Sequence, residues 1–454
     1  MEPRQVKTAA DARRILQERG LRHVKVGVHD IDGVLRGKYL HIDKFSGALD
    51  GGMGFCDVVL GWDSNDQLYD NVTYTGWHTA YPDAPVRLLP ETGRILPFEN
   101  DIPFFLCELS EAAEAICPRG LLRRVLARAA KLGFEVKVGF EYEFFVFAET
   151  PFSIREKGYR NLKPISPGFF GYSMLRNSVL SDWYKDLLAM CETMDMGIEG
   201  LHTETGAGVL EAALRVKDGL AAADSAALFK LYTKVLAQKR DWLATFMAKW
   251  SKDWPGCGGH MHMSLWKDGK SVFFDEAGNH RMSETMRHFV GGQRALMPEL
   301  LAMVAANVNS YRRLIPGFWA PTVSSWGVEN RTTSLRVIPG SPKSTRVEYR
   351  IAAADANPYL ALAAAVGSGL WGVENKVDPG EPIKGNSYEI EHPEKAQLPR
   401  TLMEAAGRLK ASTAARDLFG DSFVDHYSAT REWEEREFRK AITEWELDRY
   451  MEII

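Results

Sequence analysis

Side chains suited to binding phosphate and metal are concentrated in residues 330–350, which read NRTTSLRVIPGSPKSTRVEYR. This segment carries several cations but only one acid, Glu348. Guanidinium groups bind the oxygens of phosphate or carboxylate, and a carboxylate binds a hard divalent cation. The combination suits a site that holds both polyphosphate and metal. The cations are Arg331, Arg336, Lys343, Arg346 and Arg350.

The same segment predicts two strands joined by a turn. Residues 332–337 and 344–351 have strand character, and the intervening PGSP forces a turn. On the second strand Arg346, Glu348 and Arg350 share one face, because side chains repeat every second residue. A solvated face or a structural ion-pair ladder would give the same pattern, so this segment alone leaves both interpretations open.

A second group of acids lies on a predicted strand, residues 136–148, whose centre reads GFEYEFF. Glu141 and Glu143 are two residues apart and therefore point to the same face of this strand. Paired carboxylates within an apolar strand are costly unless cations neutralise them. We therefore interpret the pair as metal ligands rather than as a solvated face.

Two further motifs add candidate ligands. Glu204 and Glu211 flank TGAGVL, whose glycines let the backbone turn so that both acids converge. In GGHMHMSLW, the side chains of His260, His262 and Ser264 share one face of a predicted strand. Solvated glutamates and a core histidine are the alternatives, but two histidines and a serine in register favour a site.

The acids and one histidine together form a set of six candidate ligands dominated by oxygen. Such a set suits Mg²⁺ or Mn²⁺ and argues against structural zinc. Two metals beside a cluster of arginines form the arrangement used for in-line phosphoryl transfer from ATP. The six residues are Glu141, Glu143, Glu204, Glu211, His260 and Glu348.

The composition is ordinary for a globular protein and gives no signal for a nucleic-acid or membrane partner. The 454-residue chain is 45% hydrophobic and 26% charged, with a formal net charge of −4, so the positive cluster is local. Five cysteines form no CxxC pair and are too few for a disulfide framework, which predicts a reducing cytoplasm. Residues 1–16 contain acids and lack an apolar centre, so neither a signal peptide nor a membrane anchor is predicted.

The order of predicted elements indicates two domains and an α+β fold. Residues 1–117 are rich in short strands, and a helix rich in leucine and arginine then marks the boundary. In residues 118–454 strands alternate with helices, which favours a mixed catalytic domain. The elements expected there include a long helix at 222–245, a strand at 246–250 and one charged helix at 429–454.

The motifs, in this order and spacing, resemble those of the glutamine synthetase family over nearly the whole chain. They are GFEYEFF, ETGAGVLE, GGHMHMSL, NSYRRLIPGFWAP, NRTTSLRV, SPKSTRVEYR and ANPYLALAA. The resemblance implies an N-terminal β-grasp domain and a C-terminal catalytic domain with a curved antiparallel sheet and a funnel-shaped site. It also implies a homo-oligomer, a dodecamer of stacked rings, with each site between neighbouring subunits.

The resemblance further implies a role for each candidate residue, with two or three Mg²⁺ or Mn²⁺ ions per site. One metal would be held by Glu143, Glu204 and Glu211. A second, which bridges the phosphates of ATP, would be held by Glu141, His260 and Glu348. The nucleotide would contact Glu199, His262, Ser264, Arg336, Lys343 and Arg346. Glutamate would be bound by Gly256, Arg313 and Arg350, and the transferring phosphoryl group would be stabilised by Arg331.

The implied reaction has two steps and uses ATP as a co-substrate. The γ-carboxylate of L-glutamate attacks the γ-phosphate of ATP and gives γ-glutamyl phosphate. A deprotonated amine then displaces the phosphate. Positive residues contribute most where charge develops on the phosphoryl oxygens.

The chain departs from true glutamine synthetases at the end of the site that accepts the amine. Those enzymes carry a glutamate where this chain has Trp319, and tryptophan offers a broad apolar face instead of a charge. Their Asp-Gly-Ser-Ser loop is replaced by GFCDVVLGWDSND, in which Asp57 or Asp63 is a candidate for binding the amine. These features predict a ligase of glutamate and a small organic monoamine, of the kind used in amine catabolism.

Three alternatives remain at this point. The first is a packing change at Trp319 that leaves ammonia as the substrate. The second is a polyamine substrate, which the scarcity of acids near the predicted amine pocket disfavours. The third is a non-catalytic structural member of the family, which should have lost ligands that are all present here. Tyr388 falls where some bacterial members are adenylylated, but we predict no modification of it.

Overall fold

A computed structural model describes residues 2–454. The first part of the chain contains two helices and six strands. They are α1 (Ala9–Glu18), β1 (His23–His29), β2 (Leu35–His41), α2 (Ile42–Gly51), β3 (Met53–Cys56), β4 (Asp83–Leu88), β5 (Arg94–Leu96) and β6 (Ile102–Leu109). The strands form one sheet in the order β2–β1–β6–β4–β3, with β5 also paired to β6. The pair β1–β6 is parallel, and the other pairs are antiparallel.

The remainder of the chain is organised around a ten-stranded sheet. Its strands are β7 (Glu135–Phe147), β8 (Ile198–Thr203), β9 (Val209–Leu214), β10 (Lys217–Asp218), β11 (Leu243–Thr245), β12 (Gly259–Lys267), β13 (Lys270–Ser271), β14 (Trp326–Val328), β15 (Leu335–Ile338) and β16 (Arg346–Tyr349). The order is β14–β15–β16–β12–β7–β9–β8, with β10 and β11 paired to β7 and β13 to β12. All pairs are antiparallel except β14–β15, which is parallel and departs from the expected antiparallel sheet.

Twelve helices accompany this sheet in the described residues. They are α3 (Pro118–Lys131), α4 (Pro151–Glu156), α5 (Met174–Val179), α6 (Ser181–Thr193), α7 (Gly219–Gln238), α8 (Glu284–Leu300), α9 (Ser310–Arg313), α10 (Pro358–Glu374), α11 (Leu402–Ala411), α12 (Thr413–Phe419), α13 (Asp421–Phe438) and α14 (Glu444–Tyr450). The alanine-rich α10 is apolar on all sides and almost wholly buried against α8, α3 and α7. It approaches α8 so closely that a Cβ on Gly372 would lie 2.5 Å from the Cα of Gly292.

Three elements differ from the sequence prediction. The strand expected at 246–250 is wrong: β11 ends at Thr245, and the backbone N–H and C=O of Lys249 bond instead to the Asn309 side chain, at 2.8 Å each. The long helix ends at Gln238 rather than at residue 245. The charged tail is two helices, because Thr443 starts α14 with a capping box.

Apolar side chains form two clusters. One is confined to residues between Val6 and Cys117, and the larger one surrounds the ten-stranded sheet and also includes side chains of the first part, such as Phe104. The domain boundary near residue 117 therefore stays a prediction. In residues 2–454 no helix is both long and apolar enough to cross a membrane.

A buried ion network joins the two parts of the chain. Arg119, at the start of α3, makes two hydrogen bonds of 2.9 and 3.0 Å to Asp224 on α7 and one of 2.7 Å to Glu108 on β6. Tyr359 donates the fourth hydrogen bond of this network, to Asp224, at 2.7 Å. Burial alone would raise the pKa of both carboxyl groups. Arg119, helped by Arg87 and Arg123 at Glu108 and by Tyr359 at Asp224, outweighs burial and holds each pKa below its ordinary value. The network therefore contributes stability that depends on both acids being ionised.

We expect Arg119→Met to lower the free energy of unfolding at pH 7 by about 3–5 kcal/mol, because buried Asp224 loses its arginine partner and Glu108 keeps only Arg87 and Arg123. In the wild type this stability is present above the ordinary carboxyl pKa of about 4 and is lost as the pH falls through the lowered folded values. The difference between wild type and variant should therefore shrink as the pH falls below about 4. Urea unfolding at several pH values measures it, and Lys131→Met, an exposed change on the same helix, is the control. A pH-independent difference would contradict this account.

Candidate active site

The sheet register places the predicted ligands on neighbouring strands. Glu143 on β7 pairs with Glu211 on β9, and Glu141 on β7 pairs with His260 on β12. Further along the sheet, Glu348 on β16 pairs with His262 on β12 and with Arg336 on β15. Since directly opposed residues point to the same face, side chains from five strands converge on one face of the sheet.

The converging side chains line a cavity of about 620 Å³, called the acidic cavity below. It brings together twelve of the predicted site residues. They are Glu141, Glu143, Glu204, Glu211, Gly256, His260, Arg313, Trp319, Arg331, Arg336, Glu348 and Arg350. Segments that are up to 209 residues apart in the sequence thus meet in one cavity, from Glu141 to Arg350.

Two groups of side chains in and around this cavity have the chemistry and spacing of metal sites. In each group one ligand atom per residue lies within 4.8 Å of the others. One group is Glu141, His262 and Glu348, and the other is His202, Glu204 and Glu211. Oxygen ligands with one histidine fit Mg²⁺ or Mn²⁺.

The grouping differs in two details from the predicted ligand sets. His260 Nδ1 lies 3.0 Å from Glu141 Oε1 and 3.5 Å from Glu348 Oε1, so His260 faces the same acids as His262. Glu143 instead accepts a hydrogen bond from the backbone N–H of Gly258. This contact requires a glycine, because a Cβ on Gly258 would lie 2.5 Å from His260 Nε2.

The electrostatics of the acids indicate that cations belong in the acidic cavity. The pKa of Glu143 is raised to about 7, mainly by burial and also by nearby Glu204 and Glu141, against the opposing effects of Arg313 and the Gly258 N–H. Burial also raises the pKa of Glu211 to about 7, with added repulsion from Glu141 and Glu143. Carboxyl groups that repel one another in this way are neutralised by bound divalent ions.

Two of the acids already have histidine or arginine partners. Burial would raise the pKa of Glu141, but contacts with His260 and His262 hold it well below its ordinary value. Glu348 pairs with Arg350 and lies 3.1 Å from Arg336, and its pKa is lowered despite burial. The arginines predicted to bind substrate therefore act as counter-ions when no ligand is present.

The arginines at the glutamate end are buried and only partly satisfied. Arg313 is 4% exposed and donates to the carbonyl oxygens of Ile351 and Arg350, at 3.1 and 3.2 Å. The Nε of buried Arg350 has no hydrogen-bond partner in the described residues. A buried guanidinium with a free donor fits an acidic substrate such as glutamate.

The predicted nucleotide contacts lie mainly in a second cavity of about 950 Å³, the nucleotide cavity. Its lining includes Glu199, His262, Ser264, Lys343 and Arg346. Glu141 lines both cavities, so they adjoin at this carboxylate. Arg336 is the one predicted nucleotide contact that lines the acidic cavity instead. An ATP molecule in the nucleotide cavity could thus place its phosphates beside the acids.

Sequence reasoning missed several residues of the acidic cavity, above all His202 and Tyr172. His202 Nε2 lies 3.1 Å from Glu211 Oε1, and its ring stacks on Tyr172 at 4.3 Å. His202 is two residues before Glu204, so strand alternation could have revealed it. Tyr172 lies in a loop, where no periodic signal exists.

The predicted amine-binding aspartates do not line the acidic cavity of the described chain. Asp57 is buried in the first part of the chain and accepts a hydrogen bond from Thr75, at 2.7 Å. Asp63 accepts hydrogen bonds from two backbone N–H groups of its own loop and lines a different cavity. Their roles stay predictions, which require the neighbouring subunit that the family resemblance implies.

Comparison with known proteins decides the family. A model described as "Glutamine synthetase, catalytic domain" matches residues 115–450. The chain belongs to the glutamine synthetase family. Within it, this chain is 45% identical to "Type-1 glutamine synthetase 2" of Dictyostelium discoideum, over 95% of the chain and 84% of that protein. It is 37% identical to "Glutamate--isopropylamine ligase" of a Pseudomonas species, over 97% of both proteins.

A solved structure of this glutamine synthetase family has the same fold. The GmaS/ADP complex superimposes with a TM-score of 0.84 at 26% identity, and the match covers 97% of this chain and 99% of that one.

We expect Glu204→Gln and Glu141→Gln to weaken Mn²⁺ binding at different sites, because the two acids belong to separate groups of ligands. Each should lower the affinity of one class of site by at least about tenfold and leave the other class in place. Mn²⁺ titration followed by electron paramagnetic resonance counts both classes. Glu156→Gln, an exposed acid outside these groups, controls for a general loss of negative charge. Loss of both classes in each variant would show that the ligands form one site.

Proposed function

We propose that this protein is an ATP-dependent ligase that joins the γ-carboxylate of L-glutamate to a small organic monoamine, with γ-glutamyl phosphate as the intermediate. The single observation that carries the proposal is the composition of the acidic cavity. Acids and arginines converge there, most of them buried or half-buried, while Trp319 occupies the position where the family resemblance places a glutamate.

The chain's own residues can bind and orient glutamate. Arg313 and Arg350 are buried, and Arg350 keeps an unpaired donor, so both can hold a carboxylate. The backbone of Gly256 lies beside Arg313, because a Cβ on this glycine would meet the arginine side chain at 2.8 Å. We assign these three residues to glutamate, which leaves its γ-carboxylate free to face the ATP phosphates.

Positive side chains stabilise the charge that develops during phosphoryl transfer. Arg331 is exposed at the acidic cavity, and Arg336 reaches it from β15. When the γ-carboxylate attacks the terminal phosphorus of ATP, negative charge spreads over the phosphoryl oxygens and ADP leaves. Fixed guanidinium groups lower that barrier because they need no reorganisation.

The two groups of acids fit a pair of divalent ions, most simply Mg²⁺. We assign Glu141, His260 and Glu348, joined by His262, to one ion, and Glu143, Glu204 and Glu211, joined by His202, to the other. Bound ions would neutralise the phosphates and polarise the phosphoryl group. Without them Glu143 and Glu211 are partly protonated near pH 7, since the pKa of each is raised to about 7.

The acceptor end favours an amine that carries an apolar group. Trp319 is 61% exposed, and Tyr172 and Phe318 line the same cavity. Aromatic faces contact alkyl or aryl groups but provide no carboxylate for ammonium or for a second amino group of a polyamine. The amine nitrogen attacks the acyl carbon of γ-glutamyl phosphate, phosphate leaves, and the amine gives up a proton.

Glutamine synthesis from ammonia is the second candidate function. It is favoured by the 45% identity to a relative named as a glutamine synthetase. Glu204 and Glu211 still line the acidic cavity and are acids that could face an ammonium ion. Trp319 is the feature that distinguishes the two candidates.

Several finer features complete the proposal. We infer that residues 1–117 form a β-grasp domain and residues 118–454 the catalytic domain. We also infer a cytoplasmic dodecamer in which Asp57 or Asp63 of one subunit completes the amine site of the next. The separation of both aspartates from the acidic cavity of their own chain is compatible with such sharing.

We expect phosphate release that requires ATP, Mg²⁺, glutamate and an amine together. A panel of methylamine, isopropylamine, aniline, putrescine and ammonium at fixed glutamate should give the highest kcat/KM with a monoamine. Each product is confirmed as a γ-glutamyl amide by mass spectrometry. Highest kcat/KM with ammonium would instead establish the second candidate.

We expect Trp319→Glu to lower kcat/KM for the preferred monoamine by about tenfold or more and to raise it for ammonium. A charge replaces the apolar contact for the alkyl group, and loss of such a contact costs about 1–3 kcal/mol. Trp319→Phe, which keeps an aromatic face, is the matched control and should retain the preference. An unchanged ratio of the two activities in Trp319→Glu would mean that this position does not select the amine.

A further inference from the structure

Lys249 is a buried cation next to the acidic cavity that the proposed reaction does not use. It is 7% exposed, and among residues 2–454 no carboxylate lies within ion-pair distance of its ammonium. Burial lowers the pKa of this lysine. Buried lysines without an acid are rare, because desolvation opposes their charge. The contacts that replace the missing acid are therefore informative.

The backbone of Lys249 is fixed before its side chain is considered. Its N–H donates to the side-chain oxygen of Asn309, and its C=O accepts from the side-chain nitrogen of the same residue, each at 2.8 Å. Asn309 directly precedes α9, which carries Arg313. The start of the Lys249 side chain is thus held at a defined place beside the glutamate end of the cavity.

The ammonium of Lys249 contacts two separate segments of the cavity wall. It donates a hydrogen bond to the backbone carbonyl of Trp254, two residues before Gly256. It also lies over the ring of Phe318, 4.2 Å from the ring centroid. Phe318 directly precedes Trp319 in the chain. One cation therefore ties the glutamate-binding segment to the loop that carries the acceptor tryptophan.

A third segment is attached through Trp254. The Trp254 ring stacks on Phe169 at 4.8 Å, and Phe169 lies three residues before Tyr172. Tyr172 and Trp319 both line the acidic cavity. Lys249 thus contacts two of the segments that shape the acceptor end directly, and the third through the Trp254 ring, from outside the cavity.

We propose that Lys249 is a positioning residue that holds the acceptor end of the cavity in its amine-binding shape. The kinetic consequence of this inference rests on the proposed function. The tether, meaning the contacts of Lys249 with Trp254 and Phe318, does not depend on activity. Lys249 lines neither cavity, so it acts through Trp254 and Phe318 rather than by touching substrate. Its loss should affect the amine and glutamate and leave ATP binding unchanged.

Three variants test the tether. Lys249→Met keeps the length of the side chain and removes the charge, and Lys249→Arg restores a cation that can reach both partners. Phe318→Leu removes the ring at an exposed position and serves if Lys249→Met does not fold. Hydrogen exchange monitored by mass spectrometry reports on residues 251–257 and 314–320 without substrate. In Lys249→Met, exchange should rise in both segments and stay unchanged in β12. In Lys249→Arg, exchange in both segments should return to the wild-type level.

Kinetics then separate positioning from a general structural role. With the best amine of the panel, Lys249→Met should raise the KM for the amine by about tenfold, with the KM for ATP within about twofold of wild type. Lys249→Arg should bring the KM for the amine most of the way back to the wild-type value. The effects of Phe318→Leu and Lys249→Met on the KM for the amine should be less than additive, because the two residues share one contact. Phe318→Leu should keep an effect of its own, because Phe318 also lines the cavity.

The outcomes distinguish this inference from the proposed function. Unchanged hydrogen exchange in Lys249→Met, or equal increases in the KM for ATP and amine, would overturn the positioning role. A wild-type protein inactive with every amine and with ammonium would overturn the proposed function instead. In that case the exchange data still decide whether Lys249 ties the segments together.

Discussion

Mutual repulsion among half-buried carboxylates is the constraint on which the rest of this structure depends. Glu143 and Glu211 are directly opposed on adjacent strands, and Glu141 shares the same face. Burial and this repulsion raise the pKa of Glu143 and Glu211 to about 7, which shows that they are poorly neutralised by the chain alone. We therefore expect divalent cations to stabilise a sheet that places acids in this way, so that the fold and its proposed chemistry have the same requirement.

Arginines neutralise one of these acids and therefore connect the metal-binding and substrate-binding parts of the site. Arg336 and Arg350 both contact Glu348, the single acid of the cationic segment. A ligand that binds these arginines must compete with Glu348, and a cation that binds Glu348 releases them. Metal and anionic substrate are then expected to favour each other's binding, as coupled ligands do. The coupling needs no movement of the sheet, because Glu348 lies on β16, Arg350 directly follows that strand, and Arg336 lies on the neighbouring β15.

Much of the site could be predicted because its ligands follow strand alternation. Glu141 with Glu143 and His260 with His262 each repeat every second residue, and the structure places both pairs on the face lining the cavities. Strand order and the parallel pair β14–β15 could not be predicted, since they depend on pairing between distant segments. Residues 246–250 were misassigned for a related reason: the polar backbone of Lys249 bonds to the side chain of Asn309, which is 60 residues away. Tyr172 lies in a loop without any periodic pattern.

The loop that carries Trp319 at the acceptor end contains backbone in an energetically unfavourable conformation. Trp319 has a φ of 59°, a left-handed conformation that is unfavourable for a bulky residue. Gly317, two residues earlier, has a φ of 85°. Such a conformation persists only when surrounding contacts hold it. Phe318 is held by the Lys249 ammonium, and the Tyr388 hydroxyl donates to the carbonyl of Ala320 at 3.0 Å. The tryptophan is therefore fixed from both sides, which argues that its face is presented to the cavity as a preformed surface rather than one shaped by the amine.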